Sequence, residues 1–179
     1  MKTHLTYGFL LALANAILTL IFYLLGFHSD PEKLHATQFI GLVAAPAIYI
    51  TALVLGMHAD RRATPMEKEF SYGRALGTGV MITLFAALFG AVFYYIYLRF
   101  INPDFTDVIL QAQAARLEAK GMDSAQIERM QSFTRVFMKP AVQVIVGFIV
   151  TVMWGTVISL VAAAFVKRPA PAAPAAPAA

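Results

Sequence analysis

The residues best suited to metal or haem chemistry in this sequence are four histidines, His4, His28, His35 and His58. Imidazole titrates near neutral pH and is the commonest metal ligand in proteins. The four show no His-x-x-Glu-His or similar spacing, and each lies at or beyond the end of an apolar segment. The sequence has no cysteine, which excludes disulfides, thiolate metal sites and cysteine nucleophiles. We therefore predict no catalytic, cofactor-binding or metal-binding residue, and a protein that is not an enzyme.

A second set of polar side chains lies inside the apolar segments. Asn15 and Thr19 are four residues apart, so they share one face of a helix. The others are Thr51, Thr78, Thr83, Thr151, Thr156 and Ser159. Hydrogen bonds between membrane helices explain such residues, at a modest gain for each bond. A small-molecule site in an uncharged polar cavity near Asn15 and Thr19 is the functional alternative.

The elements that hold these residues are four stretches without charge. No Asp, Glu, Lys or Arg occurs in residues 3–27, 34–59, 75–98 or 140–166, and 59% of all residues are hydrophobic. Each stretch reaches the roughly 20 residues that a membrane helix needs, which excludes a water-soluble globule and a disordered chain. We place the spans at about 6–27, 39–58, 75–98 and 141–166. Continuous apolar runs of this length predict helices rather than barrel strands. The predicted fold class is an all-α integral membrane bundle of four transmembrane helices.

The charged residues predict the orientation of these spans. The N-terminus, the 59–74 loop and residues 167–168 hold seven Lys/Arg against three Asp/Glu, whereas the two other loops hold seven of each. The positive-inside rule, applied to the short loops, then places both termini of this multi-pass membrane protein in the cytoplasm. We interpret the excess of positive charge as an insertion signal and a contact with the lipid bilayer, and we expect no nucleic-acid partner.

The loop between spans three and four predicts two further helices over residues 104–138. Asp104 is a candidate N-cap, Gly121 breaks the helix, and Asp123 with Gln126 resembles a capping box. Each helix carries an apolar stripe at helical spacing. These stripes are Phe105, Val108, Ile109, Ala112 and Leu117 in the first helix, and Ile127, Met130, Phe133, Thr134 and Phe137 in the second. Three roles are open for such a hairpin: it could cap the bundle, lie on the membrane surface or dock a partner protein.

Small residues recur every four positions on the last two spans. The fourth span has Gly147, Thr151, Gly155, Ser159 and Ala163, and the third has Gly73, Gly77, Ala86 and Gly90. Such ridges let helix backbones approach closely in lipid. We therefore predict that they are helix-packing residues, within the fold or between molecules.

Aromatic residues give two further expectations. Trp154 lies in the middle of a span, which favours packing inside the bundle. Tyr94, Tyr95 and Tyr97 precede Arg99 at the end of the third span, which is typical of an aromatic belt at the membrane surface.

Several short motifs resemble one membrane family. They are Phe70-Ser71-Tyr72-Gly73-Arg74-Ala75-Leu76-Gly77, then Tyr94-x-x-Tyr97 with Asn102-Pro103-Asp104-Phe105, and a last span that ends in Lys167-Arg168. Together with the helical loop they resemble a bacterial four-span membrane family of unknown function, domain of unknown function 4199. The resemblance covers about residues 5–168. It implies a four-span inner-membrane protein with a long loop between spans three and four, and no catalytic residues.

Three function hypotheses follow. The leading one is a non-enzymatic accessory or scaffold protein that packs against itself or another membrane protein. The alternative is a permeation protein that binds a small molecule or lipid in the uncharged cavity near Asn15 and Thr19. The third is an intramembrane enzyme or cofactor carrier that uses the histidines. Residues 1–168 are expected to form one transmembrane domain, and residues 169–179, which are only Ala and Pro, a disordered tail.

Overall fold

The computed structural model describes residues 1–169 and consists of six α-helices. They are α1 (Lys2–Leu24), α2 (Leu34–Ala63), α3 (Tyr72–Ile96), α4 (Phe105–Glu118), α5 (Ser124–Phe137) and α6 (Pro140–Val166), and a π-helical turn (Tyr97–Ile101) extends α3. Four helices are long and apolar enough to span a membrane, namely α1, α2, α3 with its π turn, and α6. The predicted all-α fold class with a helical loop between spans three and four is therefore confirmed. Apart from residue 169, the predicted disordered tail lies outside the described residues.

The helix ends differ from the predicted spans for local reasons. α1 ends at Leu24, before the predicted residue 27, because Gly26 adopts a positive φ of 75° that turns the chain. α2 is longer than its apolar part at both ends, since its backbone hydrogen bonds continue into polar sequence. Asp123 and Gln126 form the predicted capping box of α5. Asp104 occupies the predicted N-cap position of α4, but its side chain makes no capping hydrogen bond.

The buried side chains form three layers along the bundle, and α3 packs against α1, α2 and α6. We name the two ends of the bundle by what lies there. The termini end holds Met1, the 64–71 loop and residues 167–169, and the hairpin end holds the 25–33 loop with α4 and α5. The layers, from the termini end to the hairpin end, centre on Phe70 with Met57, on Leu53 with Ile82, and on Tyr97 with Phe105.

The α4–α5 hairpin only partly covers the bundle. In α4, Phe105, Val108 and Ala112 pack against Leu34 and Tyr97 at the hairpin end of the spans. The capping role of the hairpin therefore belongs to α4. In α5, Ile127 is its buried residue, whereas most of its predicted apolar stripe is exposed.

Candidate functional site

A cavity of about 300 Å³ lies between the four spans, in the half of the bundle nearer the hairpin end. Every span contributes to it, and most of the contributed residues are small or hydroxyl-bearing. Its lining includes Ala12, Asn15, Ala16, Thr19, Tyr49, Ala86, Ala87, Gly90, Ala91, Tyr94, Gly147 and Thr151. The structure thus brings Asn15 and Thr19 to one cavity and adds Tyr49, Tyr94 and Thr151 from three other helices.

The polar groups of this cavity are uncharged and partly engaged. The Asn15 side-chain amide donates to the Leu11 carbonyl at 2.9 Å, and the Thr19 hydroxyl donates to the Asn15 carbonyl at 2.9 Å. The Tyr94 hydroxyl donates to the Gln143 side chain at 3.1 Å. The Asn15 side-chain oxygen has no partner among these bonds, so it is available to accept one from a ligand. No Asp, Glu, Lys, Arg or His belongs to the lining.

The small-residue ridge of α6 divides into two parts. At Gly155 an added Cβ would meet the Thr83 side chain on α3, and Ser159 lies against Gly79 of α3. Both Ser159 and Ala163 are fully buried. Gly147, in contrast, has nothing within 4 Å of an added Cβ, and with Thr151 it lines the cavity. The close approach of α3 and α6 therefore involves Gly155, Ser159 and Ala163 but not Gly147.

The small residues of α3 also divide. Ala86 is buried and Gly90 lines the cavity. Gly73 and Gly77 are exposed, and an added Cβ at either would meet nothing within 4 Å. The residue of α3 that does approach α6 closely is Gly79, which lies outside the predicted spacing of four. The predicted packing role of Gly73 and Gly77 would therefore involve a helix of another molecule, and it stays a prediction.

A polar cluster that sequence reasoning missed lies at the termini end. The Thr78 hydroxyl donates to the Asp60 carboxylate at 2.7 Å. The His4 Nε2 and Arg74 Nε atoms each lie 3.9 Å from the same carboxylate oxygen. Asp60 is thereby the common neighbour of α1 and α3 at this end. The signal in the sequence was an acid directly after the second apolar stretch, followed by Arg61 and Arg62.

Arg168 closes the same end after α6. Its backbone pairs with Phe70 through N–O distances of 3.0 and 2.8 Å. Its guanidinium lies 2.7 Å from the Pro65 carbonyl and 2.8 Å from the Lys68 carbonyl. We expected this arginine only as a positive charge at the end of the last span, whereas in the structure it joins the chain after α6 to the α2–α3 loop.

A second polar cluster lies at the hairpin end. The Asn102 amide donates to the Tyr97 hydroxyl at 3.0 Å, and that hydroxyl lies 2.6 Å from His28 Nδ1. The Asn102 amide also lies 3.2 Å from the His28 carbonyl. Burial lowers the pKa of His28 to about 4, so the imidazole is neutral at pH 7. Because the Tyr97 hydroxyl accepts from the Asn102 amide, it can donate its own proton to Nδ1 of the Nε2-protonated imidazole. These contacts fasten the 25–33 loop to the end of α3.

Two expectations about aromatic residues are wrong. Tyr97 is fully buried rather than part of a surface belt, because the π-helical turn carries it into contact with His28 and Phe105. Trp154 is 64% exposed rather than packed inside the bundle. The face of α6 that packs on α3 carries Gly155 and Ser159, which leaves the neighbouring indole on the outer surface.

The histidines are dispersed over the structure. His28 is buried at the hairpin end and His4 faces Asp60 at the termini end. Within residues 1–169, no group of three or more His, Asp or Glu side chains is placed to hold a metal ion.

This arrangement of four membrane helices and a helical hairpin can be compared with known proteins. A family of proteins of unknown function, DUF4199, matches residues 6–168. The chain belongs to this family. The match ends at Arg168, the residue that pairs with Phe70 across the termini end of this DUF4199 protein. No curated protein and no solved structure matches the chain.

Proposed function

We propose that this DUF4199 protein is a non-enzymatic membrane protein that binds a small uncharged molecule in the cavity near Asn15 and Thr19. The observation that carries the proposal is the convergence of polar side chains from all four spans on one cavity of about 300 Å³. That volume is at the lower end of the range for ligand sites, which are apolar pockets with a few convergent polar groups. The alanines and glycines of the lining leave the space that a ligand needs.

The chemistry of the lining supports binding rather than catalysis. Amide and hydroxyl groups can exchange hydrogen bonds with a polar ligand, but the lining holds no carboxylate, imidazole or amine to act as a general acid or base. The close packing at Gly155 and Gly79, nearer the termini end, favours a binding site over a straight pore through the bundle. Permeation of the bound molecule is the further step that this proposal allows.

The test is native mass spectrometry of the full chain extracted in mild detergent. We expect an adduct of constant mass on the parent protein. Gly147→Leu and Gly90→Leu place a side chain into the cavity, so they should remove it. Gly77→Leu, an equal change at an exposed glycine away from the cavity, should retain it. A protein without an adduct, or an adduct that both cavity variants retain, would contradict the proposal.

A second candidate function is association with itself or with another membrane protein. Gly73 and Gly77 favour it, since they lie one turn apart on an exposed face of α3 with open space above them. Gly73→Leu with Gly77→Leu should lower the oligomeric fraction in analytical ultracentrifugation. Met81→Leu, a volume-conserving change one turn further along, should not. Equal oligomer fractions in both variants and the parent would remove this candidate.

We also propose an orientation for the protein: it lies in an inner membrane with both termini on the cytoplasmic side. It is supported by the four Lys/Arg between the second and third apolar stretches, Arg61, Arg62, Lys68 and Arg74, against the single Lys33 between the first and second. Reporter fusions after Thr64 and after Lys167 should read cytoplasmic, and a fusion after Gly121 should read external. A cytoplasmic reading at Gly121 would reverse the orientation.

A further inference from the structure

Helix α5 has an inner face that packs against α4 and an outer face that the described part of the chain leaves exposed. On the inner face, Ile127 is buried and the Gln131 amide donates to the Leu110 carbonyl of α4 at 3.0 Å. Thr134 lies further along the same face. These contacts attach α5 to α4, and the C-terminal end of α5 leads through Met138 and Lys139 to the start of α6.

The outer face of α5 is apolar and uncovered. Phe133 is 69% exposed, and Met130, Val136 and Phe137 beside it are exposed as well. The Phe133 and Phe137 rings contact each other, with centroids 5.1 Å apart. Two aromatic rings and two further apolar side chains on one side of a short helix form a patch that water solvates poorly.

The depth of α5 relative to the spans follows from its neighbours. Only Met138 and Lys139 separate Phe137 from Pro140, the first residue of α6. Thr134 and Met138 also line a cavity of about 430 Å³ with Thr37 and Gln38, in the second turn of α2. In α2 the next residues, Phe39 and Ile40, are the first of its exposed apolar surface. The second half of α5 therefore lies at the level where the apolar part of the spans begins.

We propose that α5 lies in the surface of the phospholipid bilayer, with Phe133, Val136 and Phe137 inserted at the boundary between headgroups and acyl chains. An amphipathic helix with aromatic residues on one face binds membranes in this way. Residues 124–139 contain three basic residues, Arg129, Arg135 and Lys139, and one acid, Glu128. This net positive charge matches the negative charge of lipid phosphates. This inference is independent of the cavity near Asn15 and Thr19.

The absence of cysteine from the sequence allows a direct test with single cysteines. Phe133→Cys and Phe137→Cys are labelled with an environment-sensitive fluorophore in the full chain. The protein is then reconstituted into vesicles of phosphatidylcholine and anionic phosphatidylglycerol whose acyl chains carry bromine near the headgroup end. Glu128→Cys is the matched control, because Glu128 is exposed and lies about 140° around the helix from Phe133 and about 180° from Phe137.

We expect brominated lipid to quench the labels at residues 133 and 137 several-fold more than the label at 128, and aqueous iodide to show the reverse order. Equal iodide quenching at all three positions would overturn the proposal in favour of a solvent-exposed helix. Labels at 133 and 137 that neither quencher reaches would also overturn it, since a protein would then cover this face. If one phenylalanine variant does not fold, Val136→Cys takes its place, because Val136 is on the same exposed face.

Discussion

Gly155 and Gly147 are two turns apart on α6, within one series of small residues, and their surroundings are opposite. At Gly155 the Thr83 side chain of α3 occupies the space that a Cβ would need, whereas at Gly147 that space is open. Near Gly155 the neighbouring α3 presents a threonine. The cavity beside Gly147 is lined on α3 by Gly90 and three alanines, with Phe93 and Tyr94 further toward the hairpin end. A glycine facing a larger residue gives close packing, and small residues facing each other leave a cavity.

The two halves of the bundle are therefore held in different ways. Toward the termini end, α3 and α6 approach closely at Gly155 and Gly79. Toward the hairpin end the spans enclose a cavity, and the structure beyond it depends on the hydrogen bonds among His28, Tyr97 and Asn102. The four predictions below test this difference, from the largest expected effect to the smallest.

Gly155→Leu should destabilise the protein, and Gly147→Leu should not. The first substitution forces a side chain into Thr83, and overpacking of this kind costs about 1–3 kcal/mol. The second enters open space, so the change should stay within about 0.5 kcal/mol. Thermal unfolding in the same detergent measures both. Equal losses of thermal stability in the two variants would mean that the two parts of the α6 ridge are packed alike.

Tyr97→Phe should destabilise the hairpin end. It removes the hydroxyl between His28 and Asn102, and leaves the buried Nδ1 of His28 without a donor, at a cost of about 1–2 kcal/mol. Tyr95→Phe is the control, because Tyr95 is exposed on the same helix. Protease cleavage of the 25–33 loop and thermal unfolding are the measurements. A Tyr97→Phe protein as stable as the control would show that this network contributes nothing.

Acid should weaken the hairpin end through His28. The folded-state pKa of this residue is about 4, below the ordinary value of 6.5, because burial disfavours the charged ring. Between those values the unfolded chain binds a proton that the folded chain does not, so stability falls as the pH falls. From pH 6.5 to 5.5 the expected loss is about 1 kcal/mol. His28→Gln should reduce this pH dependence of the melting temperature, whereas His35→Gln, at an exposed site, should preserve it.

The smallest effects concern two uncharged polar side chains. Asn15→Leu removes the bond to the Leu11 carbonyl, and a hydrogen bond in a membrane bundle contributes about 0.6 kcal/mol. Thr83→Val should cost nothing, because within residues 1–169 the buried Thr83 hydroxyl has no hydrogen-bond partner. Chemical unfolding in mixed micelles can resolve the two. A larger loss for Thr83→Val than for Asn15→Leu would contradict the contrast between the halves.

The class of the protein and the positions of most of its helices follow from local sequence. Stretches without charge that match the thickness of a bilayer admit few structures other than helices, because backbone polar groups must be satisfied within the segment. The break at Gly121 and the capping box at Asp123 were predictable for the same local reason: short-range hydrogen bonds and backbone angles decide them. The pairing of Asn15 with Thr19 on one face of α1 followed from helical spacing alone.

What each helix face contacts follows instead from how the helices pack against one another. Spacing placed Gly147 and Gly155 in one ridge, but whether either packs depends on the residue that α3 presents, and that depends on the angle and register between two helices. The same holds for Tyr97, which the π-helical turn buries, and for Trp154, which packing at Gly155 and Ser159 leaves outside. In lipid an apolar side chain is equally compatible with a neighbouring helix and with an acyl chain. Hydrophobicity therefore marks the spans but carries no information about which of their sides face inward.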